Sequence, residues 1–212
     1  TDSILTNTAN TYSGGTTFGN GSGTTNTRLL VASSIGAGSP GAVTSGIYGT
    51  GTITLGAAVT DQVQFYFSSG LTVNNAFVVN SAAGQGGSDT GAFRSESTGV
   101  VLAGSINANL ADAMFSATNA AGRTISVTGA ISGNSGVTVR TSGIGGINVT
   151  LNATANANTY AGNTTINTAN STLTLGKSDQ IANGAGKGNL IIWSGTFAMG
   201  SFSDTINGLE GN

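Results

Sequence analysis

"NTYAGNTTI", Asn158 to Ile166, echoes "NTYSGGTTF", Asn10 to Phe18, at an offset of 158 − 10 = 148 residues. A bias toward Asn, Thr and Gly makes short matches easy, so the surroundings decide whether the echo has meaning. The first copy runs on through "RLLVASSIGAGSPGAVTSG" and the second through "LTLGKSDQIANGAGKGNLIIWSG". Each is an apolar strand-like run, then an Ile, then a Gly-rich corner. Ile35 thus corresponds to Ile181, and Gly38-Ser39-Pro40-Gly41 to Gly186-Lys187-Gly188-Asn189. Internal repeats of this kind decide the fold, because stacked units bury one continuous core. The expectation is that the same coil recurs in both places.

Period-two runs fill the rest of the chain. "GTITL" puts Ile53 and Leu55 on one face, and "QVQFYF" does so with Val63, Phe65 and Phe67. "LTVNNAFVV" comes next, then "RTISVTG" with Ile125 and Val127, and "GVTVR" with Val137 and Val139. "INVTL" aligns Ile147, Val149 and Leu151, and "STLTL" aligns Leu173 and Leu175. Each run hides one face and shows Thr, Ser or Asn on the other, which is the pattern of half-buried strands. One segment, Asn107 to Ala121, admits either a short helix or another strand with small corner residues.

Composition narrows the class. The 212 residues include 35 Gly, one Pro, no His and no Cys, and only 7% are charged, against about 25% in an average domain. A hydrophobic fraction of 38% and the alternation argue against a disordered chain. Without Cys there is no disulfide, thiol nucleophile or thiolate metal site. Six basic against eight acidic residues leave no basic patch for phosphates, so nucleic acid is not an expected partner. No apolar run of about 18 residues reads as a membrane span, and no charged-then-apolar leader is visible. The first residue is not Met, so the chain reads as a processed product or an excised segment.

Alternation alone fits an antiparallel sandwich as well as a solenoid, but recurrence favours a coil that meets the same environment at each turn. The fold expected is all-β, a right-handed parallel β-helix in a single domain over residues 1–212. Repeat-like halves, 1–60 and 131–212, flank a divergent middle, 61–130. Roughly 20 residues per coil and about 4.8 Å between strands give about ten coils.

Several blocks resemble the autotransporter-associated β-strand repeat of bacterial surface and secreted proteins. They are "ISGNSGVTV" from Ile131, "GGINVTL" from Gly145, "NTYAGNTTI" from Asn158, "STLTLG" from Ser171, "GAGKGNLII" from Gly184 and "DTINGLEGN" from Asp204. The resemblance covers Ile131 to the C-terminus; residues 1–55 match more loosely and 60–124 match no such motif. It implies a β-helix on the outside of a bacterial cell, part of a longer array, and no enzyme. In that family the block like "TINGL" precedes another strand and another "NTY" block. Joining "TINGLEGN" to "TDSILTNTANTY" restores that order across the two termini.

Function follows as expectation. The acids Asp2, Asp61, Asp89, Glu96, Asp112, Asp179, Asp204 and Glu210 are scattered with no adjacent pair, whereas glycoside hydrolysis needs two apposed carboxylates. "GQGGSDTG" near Asp89 approaches a calcium-binding nonapeptide once, without tandem recurrence. No catalytic, cofactor or metal site is expected. Sequons at Asn20, Asn148, Asn152, Asn163 and Asn170 follow from composition. The leading expectation is a non-enzymatic structural module, assembled head to tail with itself or with adjoining repeats. Its candidate interface is Ile4, Leu5, Ile206 and Leu209. The alternative is an adhesin stalk that meets a glycan or host surface through a loop carrying Asp89, Arg94 and Glu96.

Overall fold

The computed structural model describes residues 2–3, 9–22, 26–31, 35–82, 91–117, 120–142, 144–154 and 156–211. Ile4, Leu5 and Asp89 lie outside the described residues. The chain begins with β1 (Asp2–Ser3), β2 (Thr16–Phe18) and β3 (Asn26–Val31), then a hairpin of β4 (Ala37–Ser39) and β5 (Ala42–Ser45). It continues through β6 (Ile53–Leu55), β7 (Gln62–Phe67), β8 (Thr72–Val73) and β9 (Phe77–Val79). Next come β10 (Phe93–Ser95), β11 (Val100–Leu102), β12 (Ile106–Ala108), β13 (Ala113–Ala117), β14 (Arg123–Val127) and β15 (Ile131–Ser132). The last strands are β16 (Val137–Thr141), β17 (Ile147–Leu151), β18 (Thr164–Leu175), β19 (Leu190–Ala198) and β20 (Leu209–Gly211).

All strand pairs except the β4–β5 hairpin are parallel, and they fall on three sides of a solenoid. The first side stacks β1, β3, β7, β10, β13, β16, the first halves of β18 and β19, and β20. The second stacks β8, β11, β14, β17 and the second halves of β18 and β19. The third is a separate five-stranded sheet of β2, β6, β9, β12 and β15. The alternating residues point as expected: Ile53, Leu55, Val63, Phe65, Phe67, Ile125, Val127, Val149 and Leu173 are buried. The segment 107–121, open between helix and strand, contributes the end of β12 and all of β13.

The turn count corrects the sequence reading. The strands of the third side mark about five turns, and beyond β15 only the first two sides carry further strands. Ten coils are not supported, because each return to the same position consumes more chain than about 20 residues. In-register partners on the first side run Leu29, Phe65, Phe93, Phe115, Val139, Ile166 and Ile192. From Phe93 to Phe115 is 22 residues; from Leu29 to Phe65, where the β4–β5 hairpin is inserted, is 36.

Packing changes character along the axis. Phe18, Tyr48, Phe65, Phe77, Phe93 and Phe115 form a continuous chain of ring contacts with centroids 5.0 to 5.5 Å apart. Such pairs contribute about 0.5–1.5 kcal/mol each beyond area burial. Past Phe115 the same column is aliphatic, Val139 then Ile166. The corners are closed by close backbone approach: a Cβ on Gly129 would lie 2.0 Å from the Gly104 carbonyl oxygen, and one on Gly104 would lie 2.0 Å from that of Asn75. Only glycine fits there at this turn spacing.

The two copies of the echo occupy different sides. Thr16–Phe18 pairs with β6 on the third side, whereas Thr164–Ile166 pairs with β16 on the first. Ile35 bridges Val73 on the second side, while Ile181 sits on the third, after the second half of β18. The copies are one side out of phase, so they do not write the same coil.

Candidate functional site

Three of the described acids, Asp61, Asp112 and Asp204, accept hydrogen bonds from neighbouring turns. Asp61 is fully buried, and its Oδ2 accepts from the backbone N–H groups of Ala57 (2.8 Å), Ala58 (3.1 Å) and Gly21 (3.1 Å). Asp112 accepts from Gly136 N (2.7 Å) and Thr138 Oγ1 (2.8 Å) of the next turn. Asp204 accepts from Gln180 N (2.6 Å) and Ile181 N (2.9 Å) through one oxygen. In each of the three at least one carboxylate oxygen accepts from backbone or hydroxyl donors, charge-assisted bonds that are shorter and stronger than neutral ones. Among the described residues no group of three or more metal-binding side chains occurs.

The last third-side turns are tied by side chains where strand pairing stops. Asn158 accepts from Ile131 N (2.8 Å) and donates to the Gln180 carbonyl (2.8 Å). Gln180 accepts from Ala153 N at 2.8 Å, and Asp204 then takes the Gln180 and Ile181 N–H groups. The spacings, 180 − 158 = 22 and 204 − 180 = 24, are one turn each, a signal present in the sequence but lost among its many Asn. Beside them Tyr160 is buried and its hydroxyl hydrogen-bonds Thr164 at 2.6 Å. Burial pushes its phenol up to about 12, as it does that of Tyr48.

Arg94 and Glu96 are adjacent in space. Arg94 Nε stands 2.8 Å from Glu96 Oε1, with side chains 12% and 7% exposed, and Arg123 Nε lies 4.0 Å from the other Glu96 oxygen. Arg94 belongs to β10, and its guanidinium and that of Arg28 lie 5.1 and 4.7 Å from the centroid of the Tyr66 ring. Stacking of this kind contributes about 0.5–2 kcal/mol.

The end formed by β19 and β20 exposes core-type residues. Leu209 aligns with Leu190, Thr164 and Val137, the inward column of the first side, yet it is 66% exposed. Ile206 is half-buried against the core, whereas Trp193, Met199 and Phe202 are exposed. Among the described residues β20 pairs only with β19, and at the other end β1 pairs only with β3. Of these residues Ile206 and Leu209 are interface candidates from the sequence, and exposure alone adds Trp193, Met199 and Phe202.

A recess of about 540 Å³ lies between the β4–β5 hairpin and Asn74, and one of about 310 Å³ lies along Gly122, Gly146 and Asn170. Neither is lined by a charged side chain. No helix among the described residues is long and apolar enough to cross a membrane. No family model, curated protein or solved structure matches the chain. The β-solenoid that the motif resemblance implies is nonetheless the fold observed.

Proposed function

We propose that this chain is a non-enzymatic structural module of a bacterial surface, a β-solenoid whose end stacks on a further coil. Head-to-tail stacking builds a filament, sheath or stalk. The observation that carries the reading is Leu209, a residue in register with the core column but 66% exposed at an edge that no further strand covers among the described residues. Covering one such leucine stabilises by about 1.5–3 kcal/mol, and an unpaired parallel edge is itself a template for another strand. Contact between unlike ends that does not close generates a fibre. The "NTY" and "TINGL" blocks support an autotransporter-type repeat. A right-handed winding follows from the strong preference of parallel strand connections.

Light scattering over a concentration series tests it. The native chain should gain mass with concentration, and Leu209→Asp should stay monomeric with an unchanged circular dichroism spectrum. A native chain that remains monomeric throughout would remove the proposal. The alternative, an adhesin stalk that meets a glycan surface, draws on the concentration of Arg28, Arg94 and Arg123 around Tyr66 and Glu96. Binding to a glycan array that survives Leu209→Asp and is lost on Arg94→Ala would favour it.

A further inference from the structure

We propose that the outer face of the second side is an ice-binding surface, a net of threonine and serine hydroxyls held in register over four strands. The outward residues of β14, β17 and the second halves of β18 and β19 stand in two columns. One runs Thr124, Asn148, Thr172 and Thr196, and the other runs Ser126, Thr150, Thr174 and Ala198. Six of these eight positions carry a hydroxyl and none is charged. Within these strands only Thr172-Leu173-Thr174 reads as a threonine pair in the sequence; strand register brings the rest together.

The other two sides differ in charge and in width. On the first, Arg28 stands outward on β3, and Arg94 and Arg140 share one column through Ser116. On the third, the three-residue strands β6, β9 and β12 are buried at both ends and leave a single outward column, Thr54, Val78 and Asn107. The five-residue strands β14 and β17 are long enough to present two outward residues each.

Neighbouring strands lie about 4.8 Å apart and residues two apart on one strand about 6.6 Å. The hydroxyls therefore form a rectangular net close to the oxygen spacings on a prism face of hexagonal ice. Threonine is stiff at χ1, so the net is set before a lattice meets it. Thr174 Oγ1 is fixed further by donating to Asn148 Oδ1 at 2.8 Å, and Thr124 Oγ1 by accepting from Gly99 N at 2.8 Å. Charged groups would hold hydration shells of their own in place of a lattice. Neither column contains an aromatic ring on which a sugar could stack, which favours ordered water over a polysaccharide. Each hydroxyl exchanges one water hydrogen bond for another with a small net gain, so affinity depends on how much of the net is matched.

Partition of the full chain into slowly growing ice, measured against an inert protein of similar size, tests the surface. The native chain should be enriched in the ice and should slow its recrystallisation. Thr150→Tyr, in the middle of the net, should lose both activities with an unchanged circular dichroism spectrum. Thr54→Tyr, outward on the third side, should keep both. Should Thr150→Tyr misfold, Thr172→Lys takes its place with the same expected loss. A native chain excluded from ice like the inert protein overturns the proposal. So does an equal loss in the second-side and third-side variants, or retention on chitin or cellulose without partition into ice. Leu209→Asp should partition as the native chain does, because the net lies along a side of the solenoid and not at its end.

Discussion

Asn10–Phe18 and Asn158–Ile166 are nearly the same words in two different places. In both, the Tyr hydroxyl hydrogen-bonds the Thr four residues on, Tyr12 to Thr16 at 2.9 Å and Tyr160 to Thr164 at 2.6 Å. Tyr12 is 45% exposed, whereas Tyr160 is completely buried. Phe18 ends a strand of the third side and Ile166 stands on the first. The motif therefore encodes a local passage, a corner followed by an inward–outward–inward strand. It leaves the side of the solenoid to be set by the lengths of the intervening turns. The three sides suit it equally because each offers a buried apolar column and a polar outer surface.

The largest difference between the copies should appear on truncating the tyrosines. Tyr160→Ala removes a buried ring and should cost about 3–5 kcal/mol, while Tyr12→Ala should fall within about 0.5–1 kcal/mol. Trp193 fluorescence during denaturant unfolding reads both, since β19 pairs directly with β18.

Alkali should sharpen the contrast. The phenol of Tyr160, raised from 10.0 to about 12 chiefly by burial, contributes stability that is complete below pH 10 and lost as pH rises through 12. The loss is on the order of 3 kcal/mol at most. An alkaline unfolding transition that moves upward in Tyr160→Phe is the expected result; one that is unchanged would show that this phenol is not the group responsible.

A smaller effect separates Gly15 from its counterpart Asn163. Gly15 has φ +78° and a Cβ there would lie 2.9 Å from the Thr52 carbonyl oxygen, so Gly15→Ala should cost about 1–2 kcal/mol in backbone strain alone. Asn163 instead uses its Oδ1 to accept from Asn189 N at 2.9 Å, and Asn163→Ala should lose about 1 kcal/mol. Smallest of all is removal of the hydroxyls: Tyr160→Phe should cost about 1 kcal/mol near neutral pH and Tyr12→Phe almost nothing. Equal costs in the two copies would mean that burial does not distinguish them.

What was legible follows the same division. The buried positions Val63, Phe65, Ile125 and Val149 could be read because strand alternation is local and survives any error in turn length. The number of turns could not, since the β4–β5 hairpin and loops of unequal length separate residues that stack. Nor could the phase of the repeat, which depends on those lengths summed. The Asn158, Gln180 and Asp204 struts were hidden for another reason: in Asn-rich text a single amide at one-turn spacing does not stand out. Leu209, a candidate interface residue from the sequence, lies in register with the buried Leu190 and is 66% exposed.

Electron microscopy of the purified 212-residue chain over a concentration series tests the structural role most directly. The account predicts that the 212-residue chain forms unbranched filaments, one solenoid wide, dispersed by Leu209→Asp. Discrete short rods at every concentration, unaltered by that substitution, would contradict it.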